Sequence, residues 1–151
     1  MTVAPARRAA QRVLLRVFEE GAYADRALAA AVAELDRRDR SLAQQLAFGT
    51  VQRVRTLDHG IETLGRTPVR KFDPPVRAAL RLGAYQLAYT GGIPPRAAVH
   101  ESVELVREAG LERAVRFTNA VLRRVRRSLR AGSRGSGVSR LARRSASRGR
   151  A

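Results

Sequence analysis

Apolar residues in this chain recur every three or four positions and almost never on alternate ones. That spacing gathers them into one stripe on an α-helix, whereas a half-buried strand needs a period of two. Ala10, Val13, Leu14, Val17 and Phe18 form the first stripe, and Leu28, Val32 and Leu35 the second. Ala43, Leu46, Ala47, Thr50, Val51, Val54 and Leu57 carry the third, and Val76, Leu80, Ala84 and Leu87 the next. Val99, Val103 and Val106 follow, and Ala114, Phe117, Thr118, Val121, Leu122, Val125 and Leu129 close the series.

Turn chemistry separates these stripes. Pro5 suits a first helical turn, where its missing N–H costs nothing, and Gly21 ends that helix. Asp25 is expected to cap the second helix. "DRRD" from Asp36 to Asp39 opens the third, with acids at the positive end of the dipole. The third pattern is expected to break near Thr56–Asp58, with a short helix running on to Leu64. "GRTPVRKFD" reads as a loop, Asp73 as a cap and Pro74 as a first helical residue. "TGGIPP" is a turn, and Gly110 closes the helix after it. The fold expected is an all-α bundle of six to seven helices, with no strand and no solenoid repeat.

The chain has 151 residues, enough for one domain with a single core. It has no cysteine, which excludes disulfides, CxxC zinc sites and cysteine nucleophiles. Arg12 and Arg16 interrupt the N-terminal apolar run, so it does not read as a signal peptide. The longest uncharged run, Leu82 to Pro95, is short and broken by glycine and proline, so no membrane span is expected. A cytoplasmic location is the expectation.

Charge points to a class of partner. The net charge is +17, which favours a polyanion such as nucleic acid. Eleven of the 30 basic residues and none of the 13 acids lie in residues 123–151. From Ala131 onward the sequence is rich in Gly, Ser and Arg and poor in apolar residues. Residues 128–151 are therefore expected to form a disordered basic tail. Lys71 is the only lysine, a bias discounted as codon composition.

Two arginine groups stand out. Arg7, Arg8 and Arg12 on the first helix have no acid within a turn, which leaves them open to phosphates. Arg123, Arg124, Arg126 and Arg127 have no acid near them in sequence, and their attraction to nucleic acid would carry no sequence information. No catalytic constellation is visible. His59 and His100 sit in neither HExxH nor a triad-like setting. "GSRGSG" follows a helix rather than a strand and lacks the GK[ST] ending of a phosphate loop. Glu101, Glu104 and Glu108 share one helix beside Arg107 and read as a solvated or ion-paired face. No metal site is expected. The few aromatics fall in core patterns, so no base-stacking platform is expected.

Four segments in order carry a resemblance: "ARRAAQRVLLRVFEEGAYADRAL", "DRSLAQQLAFGTVQRVRTLDHGIE", "FDPPVRAALRLGAYQLAYTGGIPPRAAVHESVEL" and "RFTNAVLRRV". Over residues 5–127 the chain resembles the NusB-like RNA-binding domain. The likeness is to the version at the N-terminus of the bacterial 16S rRNA (cytosine-C5) methyltransferases of the RsmB, Sun or Fmu type. The "DRAL" and "RTLDH" stretches favour that version over the free antitermination factor.

The resemblance implies an all-α bundle of two three-helix halves and RNA, rRNA above all, as partner. It transfers an RNA-binding role to Arg7 and Arg8 and less directly to Arg12, beside the charge-based candidates Arg123, Arg124 and Arg127. Arg81 and Glu101 occupy characteristic family positions and are expected to form a structural ion pair. His100 stands where the family usually has Asn. The full-length methyltransferases carry a further domain that binds S-adenosylmethionine and holds two catalytic cysteines. Only 24 residues follow Arg127 here, none of them cysteine. The chain alone is thus expected to have no cofactor and no methyltransferase activity, and to be a truncated or frameshifted product or a free-standing protein. The leading reading is an RNA-binding module that positions rRNA. Its alternatives are an antitermination factor working with a ribosomal protein, and a helical protein-interaction domain.

Overall fold

The computed structural model describes residues 3–132. Seven α-helices follow one another: α1 (Pro5–Glu20), α2 (Ala24–Ala31), α3 (Arg37–Gln52), α4 (Val54–Gly65), α5 (Pro74–Tyr89), α6 (Pro95–Glu108) and α7 (Val115–Arg130). Single 3-10 turns at Val69–Lys71 and Glu112–Ala114 precede α5 and α7. There is no strand among the described residues. The expected helical stripes hold except for the second, of which only Leu28 lies in a helix, and the tail expected over 128–151 lies outside the described residues from 133 on, its first three residues being the end of α7.

The boundaries follow local chemistry, with some departures from expectation. Gly21 closes α1 at φ 69°, in the left-handed region that glycine enters without strain. Asp36 caps α3 by accepting the Asp39 N–H at 2.8 Å. Asp25 does not cap α2. The helix starts two residues earlier than such a cap requires, at Ala24 behind Tyr23, and the Asp25 carboxylate accepts the Arg26 N–H inside the first turn. Asp73 precedes Pro74 as expected but bonds no backbone N–H of α5. The break between α3 and α4 falls at Arg53, upstream of Thr56–Asp58. Val32 and Leu35 lie beyond the end of α2, in the turn to α3, yet still pack on the core.

Two packing units share α5. In the first, α1 packs against α2 and α3; in the second, α6 and α7 pack on each other and on α5. The α5 helix also meets α1, α3 and α4, so it touches most of the molecule. Its sequence explains this. Ala78, Ala79, Gly83 and Ala84 keep its surface slim on several sides, while Val76, Leu80, Leu82 and Tyr85 fill the space between neighbours. At Gly83 an added Cβ would lie 2.7 Å from Ser102 Oγ and 2.9 Å from Leu122 Cδ1, so α6 and α7 both press on the bare backbone there. Gly49 of α3 plays the same part for Tyr85, whose ring lies across it.

Candidate nucleic-acid interface

The arginines of α1 divide by helical face. Arg7 stands three and seven residues before Ala10 and Leu14, on the stripe that faces the core, and is buried. Its Nη1 lies 2.5 Å from Glu101 Oε2, and its Nε donates to Gln86 Oε1 at 2.7 Å. The other Glu101 oxygen accepts the Ala4 N–H at 2.7 Å, which satisfies a free donor at the start of α1. Arg8 makes a forked pair with Glu108 of α6, at 2.7 and 3.2 Å. These hydrogen bonds hold the Glu108 carboxyl below its ordinary pKa and raise that of Arg8. Arg12 is exposed, and no protein partner holds it among the described residues. Arg16 pairs with Glu20 at 3.1 Å, as their spacing of four predicts.

The expected Arg81–Glu101 pair is not formed. Arg81 of α5 instead grips Asp58 of α4 through two hydrogen bonds, at 2.7 and 2.8 Å. Its guanidinium also lies 4.6 Å from the centre of the Phe18 ring. Both residues lean inward, as expected, but toward different neighbours: Arg81 toward α1 and α4, Glu101 toward the start of α1. Periodicity shows that a side chain points inward and does not show which helix it meets.

On α7, Thr118, Val121, Leu122 and Val125 are buried, and Arg123, Arg124 and Arg127 are exposed. Arg124 reaches back to donate to the Leu64 carbonyl at 3.1 Å, satisfying an acceptor in the last turn of α4. Arg123 and Arg127 have no protein partner among the described residues. Of the six arginines expected to meet RNA, Arg7, Arg8 and Arg124 are thus occupied within the protein. Arg12, Arg123 and Arg127 remain free. Arg96 and Arg116, exposed on α6 and α7 and outside any sequence cluster of arginines, are further cations without a protein partner among the described residues. Arg116 stands seven residues before Arg123, on one side of α7, which was the available signal.

His59 and His100 lie on α4 and α6, and no group of three His, Asp or Glu side chains suited to a metal ion occurs among the described residues. No described helix is long and apolar enough to cross a membrane.

Comparison with known proteins gives this surface a context. The model of the NusB family matches residues 4–127. The probable ribosomal RNA small subunit methyltransferase B of Synechocystis sp. is 37% identical over 125 residues, covering 82% of this chain and 28% of that protein. The ribosomal RNA small subunit methyltransferase B of Pseudomonas putida is 40% identical over 121 residues, covering 80% of this chain and 28% of that protein. This chain therefore spans little more than a quarter of these methyltransferases. The transcription antitermination protein NusB of Halorhodospira halophila is 37% identical over 99 residues, covering 64% of each chain. A crystal structure of the antitermination factors NusB and NusE in complex with dsRNA superposes with a TM-score of 0.76 at 25% identity, covering 82% of this chain and 94% of the other. With the helical bundle, the match over nearly all of the described residues and these relatives in agreement, the chain belongs to the NusB family.

Proposed function

We propose that this chain is an RNA-binding module that holds ribosomal RNA for a methyltransferase domain. The observation that carries the reading is the pattern of coverage. Relatives named as ribosomal RNA small subunit methyltransferases match about four-fifths of this chain with little more than a quarter of their own length. The free arginines supply the chemistry: Arg12, Arg123 and Arg127 offer fixed cations to phosphates. No catalytic step and no S-adenosylmethionine site is assigned to these residues, and the proposed setting is the cytoplasm.

The test is the affinity of the full chain for a 16S rRNA fragment, read by fluorescence anisotropy as salt is raised. Three phosphate contacts at roughly 0.7 per contact give a slope of log K against log salt near −2. Affinity then falls by about 16- to 18-fold between about 50 and about 200 mM salt. A flat response refutes charge-driven RNA binding.

A second reading has an observation of its own. Proteins named transcription antitermination protein NusB also match, and a related solved structure joins NusB to NusE and dsRNA. Capture of NusE by this chain in a pull-down favours that role, and its absence favours the methyltransferase-type module.

A further inference from the structure

The α6 and α7 helices are joined by six residues and pack side by side. Between them runs an open groove with a volume of about 450 Å³. Arg96 and Arg107 of α6 line it, with Arg116, Asn119, Arg123 and Arg126 of α7. The sequence builds it from two rows: positions 96, 100 and 107 fall along one side of α6, and positions 116, 119, 123 and 126 along one side of α7. Neither row is a run of consecutive charges, so neither stands out by eye.

The charges in the groove are unbalanced. It has five arginines and a single acid, Glu104, which is already ion-paired with Arg107. Arg107 is further tied to Glu112 at 3.1 Å. Arg96, Arg116 and Arg123 are exposed and have no protein partner among the described residues. The Nε of Arg126 is shut off from solvent without a protein acceptor, so no internal salt bridge of that atom anchors its guanidinium. Four cations thus converge on one cleft with no internal anion to hold them.

We propose that this groove is a track for the phosphodiester backbone of single-stranded RNA, separate from the arginine face of α1. The inference rests on the RNA-binding reading above and assigns it a surface. Three features select this occupant. From Arg116 to Arg126 the cation row extends about 15 Å along α7, at 1.5 Å per residue, too long for one isolated phosphate. Val99 and Val103 in the groove wall are already 92% buried, each only 8% exposed, so an apolar peptide anchor would gain little there. No Phe, Tyr or Trp lines the groove, and His100 is its one ring, so it suits backbone contact more than a base-stacking platform. Asn119 and His100 add hydrogen-bonding side chains between the cations.

The experiment compares three forms of the full chain on fluorescein-labelled oligouridine: the wild type, Arg116→Gln/Arg123→Gln, and Arg37→Gln/Arg38→Gln. Arg37 and Arg38 are exposed at the start of α3, outside the groove, and their loss removes the same charge. All four arginines are on the surface, and equal thermal unfolding of the three forms verifies that the fold is kept. The groove variant is expected to flatten the salt slope by about 1.4, two contacts at roughly 0.7 each, with at least a tenfold loss of affinity at low salt. The α3 variant is expected to change the slope by less than half as much. Equal effects of the two double variants overturn the groove and leave the RNA-binding reading intact. Failure of the wild type to bind either oligouridine or the 16S fragment overturns that reading itself. Displacement of the RNA by polyglutamate or inorganic phosphate as effectively, per charge, as by unlabelled RNA also overturns the assignment. The first would make the groove a seat for an acidic protein segment, the second a site for isolated anions.

Discussion

Removing the guanidinium of Arg7 is expected to destabilise the fold rather than to weaken its hold on RNA. The Arg7 and Glu101 side chains are only 10% and 15% exposed, and the pair ties the start of α1 to α6 across 94 positions of sequence. In Arg7→Met the Glu101 carboxylate keeps the Ala4 N–H but loses its counter-charge, and Gln86 Oε1 loses the Arg7 donor. Breaking a buried pair from one side costs about 3–5 kcal/mol, chiefly the uncompensated charge left behind. The remaining N–H and the slight exposure place Arg7→Met near the lower end, about 3 kcal/mol. For a domain of this size each kcal/mol lowers Tm by roughly 3–5 °C, so the expected drop is about 10 °C. The assay is thermal unfolding by circular dichroism, with RNA affinity measured well below the transition. The double variant Arg7→Met/Glu101→Met should cost less than the sum of the single changes, because no charge is then left buried and unpaired. A Tm within about 1 °C of wild type for Arg7→Met, or simple additivity in the double variant, refutes the structural role. Loss of RNA affinity at an unchanged Tm would return Arg7 to the interface.

Gly83→Ala places a methyl against Ser102 and Leu122, both buried, and overpacking of this kind costs about 1–3 kcal/mol, read as a lower denaturant midpoint at unchanged m-value. The Arg8–Glu108 pair is partly exposed and is expected to contribute no more than about 1 kcal/mol. Because the hydrogen bond to Arg8 lowers the folded-state pKa of Glu108, that contribution is full above the unfolded carboxylate value and is lost as pH falls through the lowered folded value. The stability gap between wild type and Glu108→Gln should therefore be measurable at neutral pH in low salt and close in acid. A gap that widens in acid contradicts the sign.

The helices were legible because a stripe at helical spacing is a local property, written within a few turns. Partners of charged side chains are not local, and there sequence reading went astray. The absence of acids within a turn of Arg7 and Arg8 implied free cations. Their acids are Glu101 and Glu108, about a hundred positions away on α6. Family positions suggest a pair between Arg81 and Glu101, and the bundle gives each a different partner.

One signal in the sequence did separate Arg7 from Arg12, though not Arg8, which shares the face of Arg12 and still pairs with Glu108, and it is the same periodicity that revealed the helices. Arg7 precedes Ala10 and Leu14 by three and seven residues and so lies on their buried stripe, whereas Arg12 falls on the opposite side of α1. An arginine on a core stripe must be desolvated, and only a buried acceptor makes that tolerable. An arginine off the stripe has no such requirement. Applied to α7, the same rule places Arg116 and Arg123 on the outer side, seven residues apart, and sets both away from the buried row Thr118, Val121, Leu122 and Val125. What no single helix can reveal is that α6 brings Arg96 to the same cleft. That convergence depends on how the two helices pack, and it turns scattered surface cations into a continuous track for phosphates.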